Sequence, residues 1–153
     1  MKYLGKLLLL FITSFFTLAI HAQTKPNQIF VEFFGNGILY SINYERHVSN
    51  NIYTRVGFAT YSPELTKVFS VPLTASCHLN YRKSFLEVGG GATYFSFPLD
   101  YDIWDDIEGF ALTGILGYGL NANKSLVIRF LYTPFYLGNG IISSGGISFG
   151  IRF

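Results

Sequence analysis

The run Phe69-Ser70-Val71-Pro72-Leu73-Thr74-Ala75-Ser76-Cys77-His78-Leu79-Asn80-Tyr81 alternates without a break. Its odd positions are apolar or aromatic and its even positions are small or polar. Successive side chains of an extended strand point to opposite faces, so this period gives a strand two chemically distinct surfaces, whereas a helix would smear the two sets around its circumference. The segment predicts a long strand that is oily along one whole face.

The same period runs outward in both directions. Ile38, Tyr40, Ile42 and Tyr44 alternate with Leu39, Ser41, Asn43 and Glu45, and Ile52 to Tyr61 repeats the pattern less cleanly. Leu86, Val88, Gly90, Ala92 and Tyr94 oppose Glu87, Gly89, Gly91 and Thr93. Phe110, Leu112, Leu116, Tyr118 and Leu120 oppose Ala111, Thr113, Gly117 and Gly119. Leu126, Ile128, Phe130 and Tyr132 oppose Val127, Arg129, Leu131 and Thr133, and the chain ends with Ile147, Phe149, Ile151 and Phe153 opposite Ser148, Gly150 and Arg152. Most of the bulk lies on one side, and the other is rich in Gly, Ser, Thr and Ala. A soluble sandwich would bury the oily row. Here the second row is made of residues small enough to fill a narrow lumen, which argues for the inverted arrangement, a closed barrel with its bulky face toward lipid. Tyr40, Tyr44, Tyr81, Tyr94, Tyr118 and Tyr132 then suit the aromatic girdles of such a barrel.

Composition agrees. Hydrophobic residues make up 50% of the 153 and charged ones 13%, about half the charged share of an ordinary soluble domain, so the chain needs an apolar medium or a very large core. The aromatic share of 18% favours strands. Near the start, Lys2 and Lys6 precede an apolar stretch from Leu7 to Ile20, and Ile20-His21-Ala22 offers a cleavage site before Gln23. This pattern is a cleavable export signal over residues 1–22, since the run is short for a membrane-spanning helix, and it leaves residues 23–153 as one domain. Removing the two signal lysines leaves nine basic against nine acidic residues, so no basic surface remains to attract nucleic acid. Cys77 is the only cysteine, which excludes an internal disulfide.

Turn residues divide the domain. Gly35-Asn36-Gly37 predicts a two-residue hairpin between strands at Ile29 to Phe34 and Ile38 to Val48, with a bulge in one long strand as the other reading. With the later breaks this gives about eight strands, the even number of bacterial barrels, which puts both termini on the periplasmic side. Ser49-Asn50, Arg82-Lys83 and Asn121 to Lys124 are short connections, while Ser62 to Lys67, Pro98 to Ile107 and Leu137 to Ser144 are longer and belong outside. The fold expected is all-β: a closed antiparallel transmembrane barrel.

The terminal Gly145-Gly146-Ile147-Ser148-Phe149-Gly150-Ile151-Arg152-Phe153 resembles the last strand of outer-membrane proteins. With Ser41-Ile42-Asn43-Tyr44-Glu45-Arg46 and Tyr132-Thr133-Pro134, the chain resembles the small, about eight-stranded outer-membrane β-barrel families of Gram-negative bacteria. That resemblance implies that Phe153 is part of the signal read by the barrel-assembly machinery. It implies an architecture and a place in the cell envelope, not an activity, because barrels of this type host adhesion, enzyme and scaffold roles.

Strand parity points Glu45, Arg55, Glu87, Arg129 and Arg152 inward, where each needs a partner, so they are expected to form an interior ion-pair network that holds strand register. His78 is expected to hydrogen-bond inside. His47-Val48-Ser49, with Glu45 nearby, resembles the His-x-Ser of the outer-membrane lipid A deacylase, but a periplasmic turn is the wrong side for lipid A, and His47 reads as a solvated turn residue. Asp100, Asp102, Trp104, Asp105, Asp106 and Glu108 form an acidic loop. Its oxygens can attract a divalent cation or an outside contact, yet it lacks the spacing of a calcium loop and reads as a solvated charge run. Gly89-Gly90-Gly91 lies inside a strand pattern and is expected to let the wall bend or to admit a bulky neighbour from across the lumen, not to bind phosphate.

The function expected is therefore a non-enzymatic outer-membrane barrel with a structural or surface-interaction role, with no catalytic residue, metal or cofactor. Its partners are outer-membrane lipid, lipopolysaccharide and the assembly machinery. The rival readings are a lipid A-modifying barrel enzyme and a secreted soluble β-barrel or sandwich that binds a ligand.

Overall fold

A computed structural model describes residues 27–37, 39–62, 68–97, 107–138 and 140–153. The expected signal segment and the acidic-loop residues Asp100, Asp102, Asp105 and Asp106, with Trp104 among them, lie outside these, as does the side chain of Glu108. Eight strands follow in order: β1 (Asn27–Phe34), β2 (Tyr40–Ser49), β3 (Ile52–Tyr61), β4 (Val68–Tyr81), β5 (Ser84–Phe97), β6 (Ile107–Asn121), β7 (Leu126–Tyr136) and β8 (Ile141–Arg152). Each pairs antiparallel with the next, and β1 closes on β8, so the sheet has no edge. Closure satisfies the backbone hydrogen bonds that hydrocarbon cannot.

Alternation sets the facing. On β4, Leu73 is 63% and Tyr81 68% exposed, whereas Ser70, Thr74 and His78 are at most 4% exposed. Phe69 packs edge-on against Phe58 of β3, which is itself exposed, with ring centroids 5.3 Å apart on the outer wall. A soluble protein would not leave Phe110, Leu112, Leu116 and Ile151 bare together; a bilayer is the medium in which this exterior is stable. The soluble-sandwich reading is thereby overturned, because one closed sheet carries its oily row outward.

Where the sequence led to different boundaries, the cause is local. Gly35-Asn36-Gly37 is a turn and not a bulge, but not a two-residue one: it forms a short 3-10 turn, η1, and β2 starts only at Tyr40. Phe34 and Gly35 adopt positive φ (59° and 71°), which turns the chain back over the barrel mouth. There the Asn36 amide donates to Glu32 Oε1 at 2.7 Å and the Gly35 amide to Ser144 Oγ at 3.0 Å. The predicted loop from Leu137 to Ser144 is shorter than expected, because Ile141 to Ser144 pair with Tyr136 to Thr133 and extend β8. Pro134, which has no amide hydrogen to offer β6, coincides with the gap between the Thr113–Phe135 and Leu116–Tyr132 pairs.

The start of β1 and the C-terminus lie at one end of the barrel, the terminus end, where the backbone of Asn27 pairs with that of Phe153 (Asn27 N to Phe153 O, 3.2 Å). This terminus end carries the connections at 50–51, 82–83 and 122–125; the opposite, loop end carries those after β1, β3, β5 and β7. Phe95, Ala111 and Phe135 form a small apolar core inside the barrel toward the loop end. The glycines allow close approach. A Cβ on Gly91 would overlap the backbone of Leu73 in β4, so this part of the triple glycine serves packing of the neighbouring strand. A bulky side chain is admitted instead at Gly119, where a Cβ would overlap the ring of Phe85, its cross-strand neighbour on β5.

Candidate functional site

The inward row brings charge from four strands to one level. Glu45 of β2 stands directly opposite Arg55 of β3, and His78 of β4 opposite Glu87 of β5. Arg129 reaches in from β7. Arg55 Nη2 lies 2.8 Å from Glu45 Oε2 and 2.5 Å from Glu87 Oε1. Arg129 Nη2 lies 2.7 Å from Glu45 Oε1, and its Nη1 lies 2.8 Å from Glu45 Oε2 and 3.3 Å from Glu87 Oε2. Each guanidinium thus bridges the same two carboxylates, and all four side chains are at most 2% exposed. Such groups are stable out of water only when paired and hydrogen-bonded, which this geometry provides.

Around the ions lies a shell of aromatic and amide groups. The Phe30 ring is sandwiched between Arg55 and Arg129, whose guanidinium carbons stand 4.7 and 4.6 Å from its centroid. Gln28 Nε2 donates to Glu45 Oε1 at 3.1 Å, while Gln28 Oε1 accepts from Arg152 Nε at 3.2 Å. Arg152 is half-buried at the terminus end, so it joins the cluster through Gln28 and through the Phe85 ring, 5.7 Å from its guanidinium carbon. The structure therefore brings Glu45, Arg55, Glu87 and Arg129 together, and sets Arg152 at their margin.

One further member, Glu32, was not assigned from the sequence. Glu32 is fully buried, with Oε2 3.7 Å from Arg55 Nη1. Parity contained that signal, since Gln28, Phe30 and Glu32 alternate with the exposed Ile29, Val31 and Phe33. The oily Phe30 on the otherwise polar face obscured it. His78, placed inside by the sequence, stacks between Tyr53 and Phe85 (centroids 3.8 and 4.5 Å away), with Nε2 3.7 Å from Glu87 Oε2. His47 extends the pile by leaning on Tyr53 at 4.8 Å.

His47 corrects one expectation. It is a half-buried residue of β2 that contacts the Asn50 carbonyl through Nε2 and rests on Tyr53, not a solvated turn histidine. The strand register slips between His47 and Ser49, so Ser49, the last residue of β2, pairs with Ile52, while His47 pairs with Tyr53 and stays with the aromatic pile.

Glu45, His78 and Glu87 place potential ligand atoms within 4.8 Å of one another. Both carboxylates already hold two guanidinium groups at 2.5–3.3 Å, so a metal ion would have to displace a bound cation. The donor set fits ion pairing better than coordination.

Side chains occupy the lumen on both sides of this layer. On the loop side Thr93 and Thr113 share a hydrogen bond at 2.8 Å beneath Phe95 and Phe135, and η1 covers the mouth beside them with Asn36 fully buried. On the terminus side stand His47, Tyr53, His78 and Phe85.

No protein-family model matches the sequence, and neither does that of any curated protein. Solved structures do resemble the fold. The N-terminal β-barrel domain of Pseudomonas aeruginosa OprF matches with a TM-score of 0.64 at 13% identity, over 83% of this chain and 95% of that one. The outer-membrane protein Ail of Yersinia pestis, in a phospholipid bilayer nanodisc, matches with a TM-score of 0.53 at 14% identity, over 84% of this chain and 99% of that one. The shared feature is architecture: this chain is a small eight-stranded β-barrel of the outer-membrane type.

Proposed function

We propose that this chain is a non-enzymatic outer-membrane barrel with a structural or surface-interaction role, its interior serving stability and its loop end serving contact. One observation carries the reading: the most chemically charged place in the described residues is spent on itself. Both carboxylates of the central layer hold both guanidinium groups, with Arg55 Nη1 alone turned to a third carboxylate, Glu32, at 3.7 Å, and aromatic and polar side chains lie on either side. The cluster ties β2, β3, β5 and β7 at one level, and a slip of one residue would swing each charge into lipid, so it holds register. Partners on this reading are the surrounding outer-membrane lipid, lipopolysaccharide around the loop end, and the assembly machinery that reads the strand ending in Phe153. Asp100, Asp102, Trp104, Asp105, Asp106 and Glu108 would supply the outside contact.

Two measurements test this. Vesicles reconstituted with the protein should swell in small sugars no faster than empty ones; rapid solute entry would overturn the sealed interior. Lipid A incubated with the purified protein should keep its mass. Loss of an acyl chain that disappears in a His47→Ala or Ser49→Ala variant would establish the deacylase-like alternative instead.

A further inference from the structure

The outer wall carries one feature that bulk lipid contact does not require. Among the described strand side chains, Arg46 on β2 is the one cation that parity turns outward, since Glu45 beside it faces the lumen. No carboxylate of the described residues pairs with it. It stands at the edge of a groove of about 520 Å³ lined by Tyr44, Val48, Thr54, Val56 and Leu73. An arginine on the lipid face of a barrel is costly at mid-bilayer and costs little near the interface. Its position three residues from the end of β2, at the terminus end, is where that cost is small.

A row of small residues leads on from the groove. Register aligns Arg46 with Thr54, Thr54 with Ala75, Ala75 with Gly90 and Gly90 with Gly114. All of these point outward, so from the cation a low track crosses β3 to β6. Val56 and Leu73 wall it on one side, Ile52, Val88 and Leu116 on the other. Four strand spacings make the track about 19 Å long. It runs at right angles to strands tilted about 45°, so it climbs about 13 Å along the membrane normal, close to the ~15 Å of one hydrocarbon leaflet.

We propose that this groove holds an anionic glycerophospholipid, its headgroup phosphate on Arg46 and one acyl chain along Thr54, Ala75 and Gly90. Charge complementarity selects the headgroup: an unpaired guanidinium in a low-dielectric setting attracts a phosphate-bearing lipid that keeps net negative charge, and prefers it to a zwitterion. The apolar track supplies the length for the chain. With both termini on the periplasmic side, the site lies in the periplasmic leaflet.

Cys77, the single cysteine and half-buried on the groove wall opposite Ile52, provides the reporter. The full mature barrel, labelled there with an environment-sensitive fluorophore, is placed in phosphatidylcholine vesicles with brominated-chain phosphatidylglycerol or brominated-chain phosphatidylcholine. The glycerol lipid should quench with an apparent association about five-fold higher, as one basic residue at an anionic lipid surface supports. Arg46→Ala should bring the ratio to one, and Arg46→Lys should keep part of it. Ala75→Phe, which fills the track and leaves Arg46 in place, should also abolish the preference. Retained mobility shift in unheated SDS shows that each variant is folded. A ratio near one in the unsubstituted protein, a ratio unchanged by Arg46→Ala, or a preference that survives Ala75→Phe overturns the site. So does efficient Cys77-to-Cys77 crosslinking in dilute vesicles, which would make the occupant a second copy of the chain.

Discussion

Replacing Arg129 by Met tests the interior most directly. The methionine keeps an unbranched stem over Phe30 and Phe85 but removes the cation that Glu45 and Glu87 share. Three buried carboxylates, Glu32, Glu45 and Glu87, then surround Arg55 alone. Removing one partner of a buried ion pair typically costs about 3–5 kcal/mol, mainly because the group left behind cannot return to water. Against a total stability of about 5–15 kcal/mol this is a large fraction, and urea unfolding of the barrel in phospholipid vesicles, followed by far-ultraviolet dichroism, should show a clear fall in midpoint. The decisive arm is the double variant. Arg129→Met with Glu45→Gln removes one charge of each sign, so it should be more stable than Arg129→Met alone by about 1 kcal/mol or more, a coupling expected only of groups in contact. An Arg129→Met barrel within about 1 kcal/mol of the parent, or a double variant whose losses simply add, would refute the claim that the cluster is held by mutual neutralisation.

Two further outcomes follow from side chains that meet between β5 and β6 on the lumen face. Gly119→Val forces a branched side chain into the space of the Phe85 ring, so it should destabilise by about 1–3 kcal/mol in the same urea assay, and Phe85→Leu in that background should recover part of the loss. The buried Thr93–Thr113 pair should show the asymmetry of a closed hydrogen bond: either single change to Val strands one hydroxyl and costs about 1–3 kcal/mol, while both together fall close to the parent.

Much of this fold was readable because closure in lipid imposes period two at almost every position. The alternation from Phe69 to Tyr81 names the outward and inward side of β4 residue by residue, and the exposures follow it. Parity says which wall a side chain leaves, not what it meets. Glu45 and Arg129 are 84 residues apart in the chain, and only strand order and stagger bring them within hydrogen-bond distance. The mouth of the barrel was misjudged for the same reason. Asn36 and Gly37 look like a tight hairpin on their own, yet the turn is shaped by Glu32 and by Ser144 from the far end of the chain. Ile141 and Ile142 break the alternation before Ser143 and Ser144, so they read as loop, although β7 provides a partner for each. His47 followed the turn signal at Ser49-Asn50, and its stacking on Tyr53 depends on a neighbouring strand.

What then selects one register from several? In a soluble domain the apolar row would be buried and its jigsaw packing would discriminate, but here that row faces fluid lipid, which accepts a shifted oily surface almost as readily. Discrimination has to come from the lumen. The ion layer meets that need, because each of its bonds has a fixed length and direction and no solvent can replace a lost partner. Phe30 between two guanidinium groups, Gly119 beneath Phe85, and η1 clasped by Glu32 and Ser144 add constraints that a slipped sheet would violate together. A buried charge cluster that looks like the makings of an active site is thus placed where a barrel of this width most needs a rigid centre. The outer face is left free to be tuned for lipid, as at Arg46, and the loop end for whatever the cell presents to it.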